Sequence, residues 1–587
     1  MCGIFGIINI DKRPVDQMEL EDGIELLQHR GPDGQGFYQE EHLGLAACRL
    51  KIMDQDDQAN QPYQWKQYVL LFNGSIYNYV ELRAELISEG YSFKTASDTE
   101  VIIKAYDRWD SACLHRFNGM WAIMIYDIMT KQILVSRDRF GIKPLYYYQS
   151  DTQLAFASEI KAFTKLPSWR ADANVKTVSA YLAYGMQDYS EDTMFTDVRQ
   201  VPAANYTCIS VDQLQPLAFT QYYDLHSEYT TYESESEAIH QFRSLFYDSV
   251  KLRHRTIHEL GSCLSGGLDS SSIICASKKT PASISVIYDH PKINEASYVD
   301  AVIQNTQSTN YQISPSLSGM LAALPALIWT QDEPFSSASV YAQHELYRKA
   351  NDLSLRVMLE GQGADEILGG YDVFYLSILK QRLLTYPMGI ISTIIEILRQ
   401  YDNGMVSAWR KYRQYQSKRH NNFVAWLQSE VDLPDRKNET SISDTSRYLL
   451  QQMGLPVLLH YVDRNSMAHA VEARLPFLDH RLVELCLGLR DNLKINHGVR
   501  KWILREAMKE ALPKNVYERK NKLGFETPQR MWSLENKVEI NELVQQSIKQ
   551  LPMVVNQKES KAINDDAVKW RLINLAQWSE VFGVQNL

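Results

Sequence analysis

Along the first two hundred residues the hydrophobic positions fall in short runs separated by glycine-rich turns. Residues 2–10, 68–72, 121–126, 133–136, 145–148, 154–157 and 205–209 are each too short for a helix and are bounded by turn residues, so they predict strands of stacked antiparallel sheets. Ser97-Asp98-Thr99-Glu100 has the chemistry of a helix N-cap and predicts a helix through Trp109. After a polar run at 227–237 the pattern changes. Ile239, Phe242, Leu245, Phe246 and Val250 recur at helical spacing. Apolar runs ending at Leu264, at 283–288 and at 357–359 lead into or follow crossover segments, which predicts a parallel sheet. From 372 to 455 the pattern is mostly helical. The expected organisation is an α+β layered sandwich over 2–210, with antiparallel sheets between helices, and a linker over 211–237. An α/β domain with a parallel sheet and a helical C-terminal part follows over 238–587.

Composition narrows the function. The 587 residues are 45% hydrophobic and 22% charged, as in a globular protein with ample core. A net charge of −10 argues against nucleic acid and against an anionic membrane as partners. The apolar stretch 388–398 is too short to span a bilayer. Seven scattered cysteines with no C-x-x-C pair suit a reducing cytoplasm.

Two stretches carry candidate chemistry in the second half. In Leu264-Ser265-Gly266-Gly267-Leu268-Asp269-Ser270, a strand meets glycines and a helix start, so backbone N–H groups and the helix dipole converge on an anion. Lacking the Lys-Ser/Thr ending of a Walker loop, it suits a departing pyrophosphate better than a transferred γ-phosphate. In 357–371 another strand runs into glycines and carboxylates. Asp269 and Asp365 are candidate Mg2+ ligands, since that ion takes one or two carboxylates with substrate oxygens. In the first half, Cys2 is by position alone either a small apolar residue at a strand start or, once Met1 is removed, an N-terminal nucleophile with its own α-amino group as base.

Met-Cys-Gly-Ile at the start, His29-Arg30-Gly31-Pro32-Asp33, Asn73-Gly74, Ser97-Asp98-Thr99-Glu100 and 136–145 resemble class II glutamine amidotransferases. With the Ser-Gly-Gly-Leu-Asp-Ser loop, the chain resembles the glutamine-hydrolysing asparagine synthetase family from Cys2 to about Trp532, with weak coverage between 372 and 455. Asp463-Arg464-Asn465-Ser466-Met467-Ala468, 471–479, 500–505, and Lys520, Lys522, Gly524, Phe525 and Pro528 carry it in the second half.

The resemblance implies that Cys2 attacks the glutamine amide and that Asn73 and Gly74, read as a tight turn, stabilise the oxyanion. It implies further that Arg49 and Asp98 hold the substrate α-carboxylate and α-ammonium. It assigns ATP to Leu264, Ser265, Gly266, Gly267, Asp269, Ser270, Val286 and Gly361, metal to Asp269 and Asp365, and charge stabilisation to Lys501. The implied partners are glutamine, ATP and a carboxylate acceptor, aspartate first, with a homodimer admitted; the alternative acceptor is a sugar acid or natural-product intermediate. Two positions depart from the pattern. Ser75 stands where an acid is usual, which predicts weak glutamine affinity. Gln362 replaces another acid, so an acidic catalytic role there is lost unless Glu360 or Glu366 serves. The segment 332–339, expected on the acceptor side, holds no arginine for aspartate; Arg474 and Lys522 are the other candidate cations.

Overall fold

The computed structural model describes residues 2–587 apart from 226–231, 233, 279–280, 291–292, 386–389, 401–425, 429–430, 432–440, 521–526 and 561–562. Lys522, Gly524 and Phe525 therefore lie outside the described residues. The short apolar runs form strands β1 (Cys2–Asn9), β2 (Gly34–Glu40), β3 (Leu43–Arg49), β4 (Tyr63–Trp65), β5 (Tyr68–Ile76), β6 (Gly119–Asp127), β7 (Gln132–Arg137), β8 (Tyr146–Gln149), β9 (Gln153–Ala157), β10 (Val198–Gln200), β11 (Asn205–Ser210) and β12 (Thr220–Gln221). They make two six-stranded antiparallel sheets, in the orders β10-β8-β9-β1-β3-β2 and β12-β11-β7-β6-β5-β4.

Side-chain alternation explains the layering. Ile4 and Ile8 of β1 meet Val69, Leu71, Met124 and Val135 between the sheets. Phe5 and Ile7 turn outward onto Leu20 and Ile24 of the helix Gln17–Glu25. On the far side, Leu70, Phe72 and Ile123 cover the helices Tyr79–Ser88 and Asp98–Trp109 through Leu82, Leu86, Val101 and Ile102. The result is a helix–sheet–sheet–helix sandwich. In the second half, β13 (Leu260–Cys263), β14 (Ala282–Val286), β15 (Asn310–Ile313), β16 (Val357–Leu359) and β17 (Glu472–Arg474) make a parallel sheet ordered β15-β14-β13-β16-β17. Helices surround it, and β17 is its edge. Among the described residues no helix is long and apolar enough to cross a membrane.

Two local expectations change. Asn73-Gly74 is not a turn: β5 continues through Ile76, with Gly74 opposite Trp121 of β6. Glycine is required there by close packing, because a Cβ would lie 2.1 Å from the Met120 carbonyl oxygen. The segment 211–237 is also less open than a linker. Thr220–Gln221 pairs with β11, Tyr222 stacks on Trp121 at 6.0 Å, and Glu235 already begins the helix Glu235–Arg253.

Candidate active sites

The first site is organised by β1, β3 and β5. Cys2 lies opposite Arg49 in the β1/β3 register, and its backbone N–H donates to Asn73 Oδ1 at 3.2 Å. That contact commits the carbonyl end of the Asn73 amide and leaves Nδ2 buried without a hydrogen-bond partner among the described residues. A buried donor without an acceptor costs roughly 1–3 kcal/mol, so it is a place prepared for an incoming oxygen. Ladder alternation aims the Gly74 N–H the same way. Tyr77 N–H donates to the Asn118 carbonyl, so odd-numbered residues of β5 bond β6 and even-numbered ones face the opposite edge. On that edge Phe72 N–H meets Gln61 Oε1 and Ile76 N–H meets Asp98 Oδ2 at 2.9 Å, with Gly74 between them. Gln61 brackets the thiol, donating from Nε2 to Cys2 Sγ at 3.3 Å and to the Phe72 carbonyl at 2.9 Å.

Charge around this site is divided between its two ends. The Arg49 guanidinium is held by the carbonyls of Asp54 and Asp56 and by Asn60 Oδ1, at 2.7–2.8 Å, neutral acceptors that leave its positive charge uncancelled. At the other end Asp98 is buried, and burial pushes its carboxyl above the usual aspartate range. Beside it Ser75 Oγ donates to Glu472 Oε1 of β17 at 2.9 Å, and Arg474 Nε donates to the same oxygen at 2.6 Å. Burial opposes ionisation of Glu472, but Arg474 outweighs it and holds the carboxyl below its ordinary value. Arg474 Nη1 is spent on the carbonyls of Arg253 and Arg255, so this arginine is a fixture of the interface and not a reader of the acceptor.

The second site lies at the carboxyl ends of β13 and β16, the usual place for a ligand in an open α/β sheet. Gly266 has φ +69°, and a Cβ on it would lie 2.6 Å from Tyr298 Cβ. Gly267 caps the helix Leu268–Ala276. The loop is held by hydroxyls: Ser265 N–H donates to Ser270 Oγ and Gly267 N–H to Ser265 Oγ, both at 3.2 Å. Leu264 is buried beneath the loop, its N–H bonded to Ile284 of β14, and Val286 ends that strand. Gly361 packs on Asp269, where an added Cβ would sit 3.0 Å from Asp269 Cβ. Lys501 stands in the left-handed region, φ +55°, at the start of the helix Trp502–Met508. From there Nζ reaches Asp269 Oδ2 at 2.5 Å and Asp365 Oδ1 at 2.8 Å. Burial lowers the Lys501 pKa, yet the two carboxylates outweigh it and keep the ammonium charged. Because both carboxylates converge on one cation, their donor set fits Mg2+ shared with phosphate oxygens.

Other predicted positions fall elsewhere. Asp332 and Glu333 do not line this cleft: both are buried against the first domain, Asp332 between Lys161 at 2.9 Å and Arg464 at 3.1 Å, with Glu333 accepting from Met194 N–H. Glu360 is buried at the end of β16, accepting from Tyr347 and from Gln343 and Cys263. Glu366 accepts from Tyr371 at 2.7 Å. Asp188, Glu333 and His460 also converge. His460 Nδ1 faces Asp188 at 3.0 Å and Nε2 faces the Gln331 carbonyl at 2.8 Å, so both ring nitrogens are donors and the ring is an imidazolium in an ion pair, unsuited to a metal.

Gln61, Arg30 and Glu472 escaped sequence reasoning as site residues. Arg30 is wholly buried, its Nε 3.3 Å from the Cys2 carbonyl and its Nη1 on Glu159 and Asp463. Lys143 meets the same Asp463 at 3.0 Å. A buried seam of charge thus joins the two halves behind the thiol. The only signals were an arginine in a dense turn and an acid inside an apolar run, neither of which names its partner.

Residues 1–223 match the family model of a glutamine amidotransferase domain, and residues 241–580 match that of asparagine synthase. Asparagine synthetase (glutamine-hydrolysing) 1 of Bacillus subtilis is 29% identical over 94% of this chain and 90% of its own length. A putative asparagine synthetase (glutamine-hydrolysing) of Mycobacterium tuberculosis is 28% identical over 86% of this chain and 83% of its own. Amidase chry2 of Gibberella zeae is 25% identical over 91% and 90%. Among solved structures, a glutamine phosphoribosylpyrophosphate amidotransferase from B. subtilis has a TM-score of 0.30 at 14% identity, covering 61% of this chain and 81% of that one.

Proposed function

The chain belongs to the asparagine synthase family, and from that premise we propose that it transfers the amide nitrogen of glutamine to a carboxylate activated as its acyl-adenylate, aspartate being the first acceptor to test. The observation that carries the glutamine half is the orphaned Asn73 Nδ2 beside Cys2. With Met1 removed, the Cys2 α-amino group takes the thiol proton and Sγ adds to the carboxamide carbon. The developing oxyanion is met by Asn73 Nδ2 and Gly74 N–H, while Arg49 and Asp98 hold the amino-acid end. Collapse expels ammonia and leaves a thioester, which water hydrolyses to glutamate. In the second half the acceptor carboxylate attacks the α-phosphorus of ATP and pyrophosphate leaves. Internally delivered ammonia then displaces AMP from the acyl-adenylate.

Ser265, Gly266, Gly267 and Ser270 hold the pyrophosphate, with Leu264, Val286 and Gly361 around the nucleotide, and Lys501 faces the developing charge. Mg2+ held by Asp269 and Asp365 would neutralise the phosphates. Seven free cysteines suit a reducing compartment such as the cytoplasm. A second reading keeps this chemistry and changes the acceptor to a hydroxylated or sugar-derived acid. It is favoured by Arg474, a candidate cation for an aspartate side chain, being committed to Glu472 and to the carbonyls of Arg253 and Arg255.

The test is Cys2→Ala. Pyrophosphate release driven by glutamine should vanish while release driven by ammonia persists; glutaminase activity surviving the substitution would overturn the assignment. A panel of carboxylates at saturating ammonia separates the two acceptors.

A further inference from the structure

Asn73 and Ser75 are two apart on β5 and therefore face the same side, the side on which Asn73 meets Cys2. Ser75 Oγ does not point into an empty space there. It is bonded to Glu472, a residue of the other domain, 397 positions along the chain. Asp98 binds the N–H of Ile76, the residue next to Ser75, whose hydroxyl binds Glu472, so both carboxylates are held by adjacent residues at one end of the thiol site. Both are at most 4% exposed. Two carboxylates, Asp98 and Glu472, the latter paired with Arg474, thus stand at one end of the site, and the Arg49 guanidinium, held by neutral acceptors, stands at the other. A zwitterionic α-amino acid neutralises both ends at once, whereas an amide lacking the ammonium leaves a buried anion uncompensated.

We propose that Glu472 of the synthetase domain is the second anionic group, with Asp98, for the substrate α-ammonium in the cysteine site, and that Ser75 is the residue that holds it there. This rests on the amidotransferase reading above. The small side chain at 75 is the opening through which the carboxylate of β17 enters, so the expectation of weak glutamine affinity drawn from Ser75 alone is replaced: the charge comes from the neighbouring domain. Glu472 is a specificity residue and takes no part in the bond-making steps.

The experiment uses the full-length chain and two substrates, glutamine and glutaramic acid, which is glutamine without its α-amino group. The ratio of kcat/KM for the two is measured as glutamate or glutarate formed, within each variant, so a general loss of activity cancels. In the unsubstituted chain the ratio should strongly favour glutamine. Glu472→Gln, which keeps the shape and the contacts to Ser75 and Arg474, should lower the ratio about tenfold or more, mainly through KM for glutamine. Ser75→Ala, which leaves the Glu472–Arg474 pair, should lower it by a smaller factor and guards against misfolding of the first variant. An unchanged ratio in both variants would overturn the proposal while leaving the amidotransferase reading intact. Failure of the unsubstituted chain to hydrolyse glutamine, or hydrolysis that survives Cys2→Ala, would overturn that reading and the proposal with it.

Discussion

Lys501 holds Asp269 and Asp365 together, so substitution of either carboxylate changes the charge balance of the whole cluster beside the loop 264–270. Asp365→Asn keeps the side-chain volume, which matters because Gly370 packs so close that an added Cβ would fall 1.8 Å from Asp365 Oδ1. The expected outcome is loss of synthesis from both ammonia and glutamine by about a hundredfold or more, with glutaminase activity retained. Pyrophosphate release against magnesium concentration checks it, and an unaltered magnesium dependence would remove Asp365 from the phosphate end. Cys2, Arg49, Asp98, Asp269, Asp365 and Lys501 could be picked out as candidates from the sequence because each sits in a short motif whose local order is its signal, and the structure brings them together at two places. Glu472 could not, since its role depends on Ser75, and nothing within a few residues of either encodes the meeting.

Among elements, the segment 332–339 and the helix Leu455–Met467 meet the loop around Asp188, and three titratable groups come together there. Burial, and then Asp188, push the Glu333 carboxyl up to about 7. Burial lowers the His460 pKa, but Asp188 more than restores it, so it stands above its ordinary value; Arg464 opposes it and Glu333 supports it. Asp188 is held low by His460 against its own burial. Both raised groups bind protons more tightly folded than unfolded, so the stability they contribute is present below their unfolded pKa values and is lost as pH rises through the folded ones. The melting temperature should therefore fall between about pH 5 and 8, and Glu333→Gln should flatten that fall; calorimetry across the range checks it, and an unchanged slope would show that Glu333 is not the titrating group. At this scale the strands were legible from their apolar alternation. Their ends were not: Gly74 looks like a turn to any local reading, and only the Met120 carbonyl opposite shows that it is a point of close strand contact.

Across the whole molecule, the two halves are fastened by groups that neither can leave uncovered. Arg30, Lys143 and Lys161 come from the first half, and Asp332, Asp463 and Arg464 from the second, all at most 3% exposed in their side chains. Trp578 of the helix Asp566–Phe582 also donates to the Asp332 carbonyl and packs on Phe195 at 4.9 Å. Asp463→Asn strands Arg30 and Lys143 with less compensating charge, at a cost of roughly 3–5 kcal/mol. Calorimetry should show one transition in the unsubstituted chain and a lower melting temperature in the variant, with glutaminase and synthetase activities declining together; loss of one activity alone would show that the halves are energetically separate. This seam also bears on descent. A first half that carried an acid at position 75 would set it against Glu472, and it would need cations opposite Asp332 and Asp463. A charge changed on one side of this join must therefore be matched by a change on the other, so the buried seam couples the two halves in sequence as well as in structure.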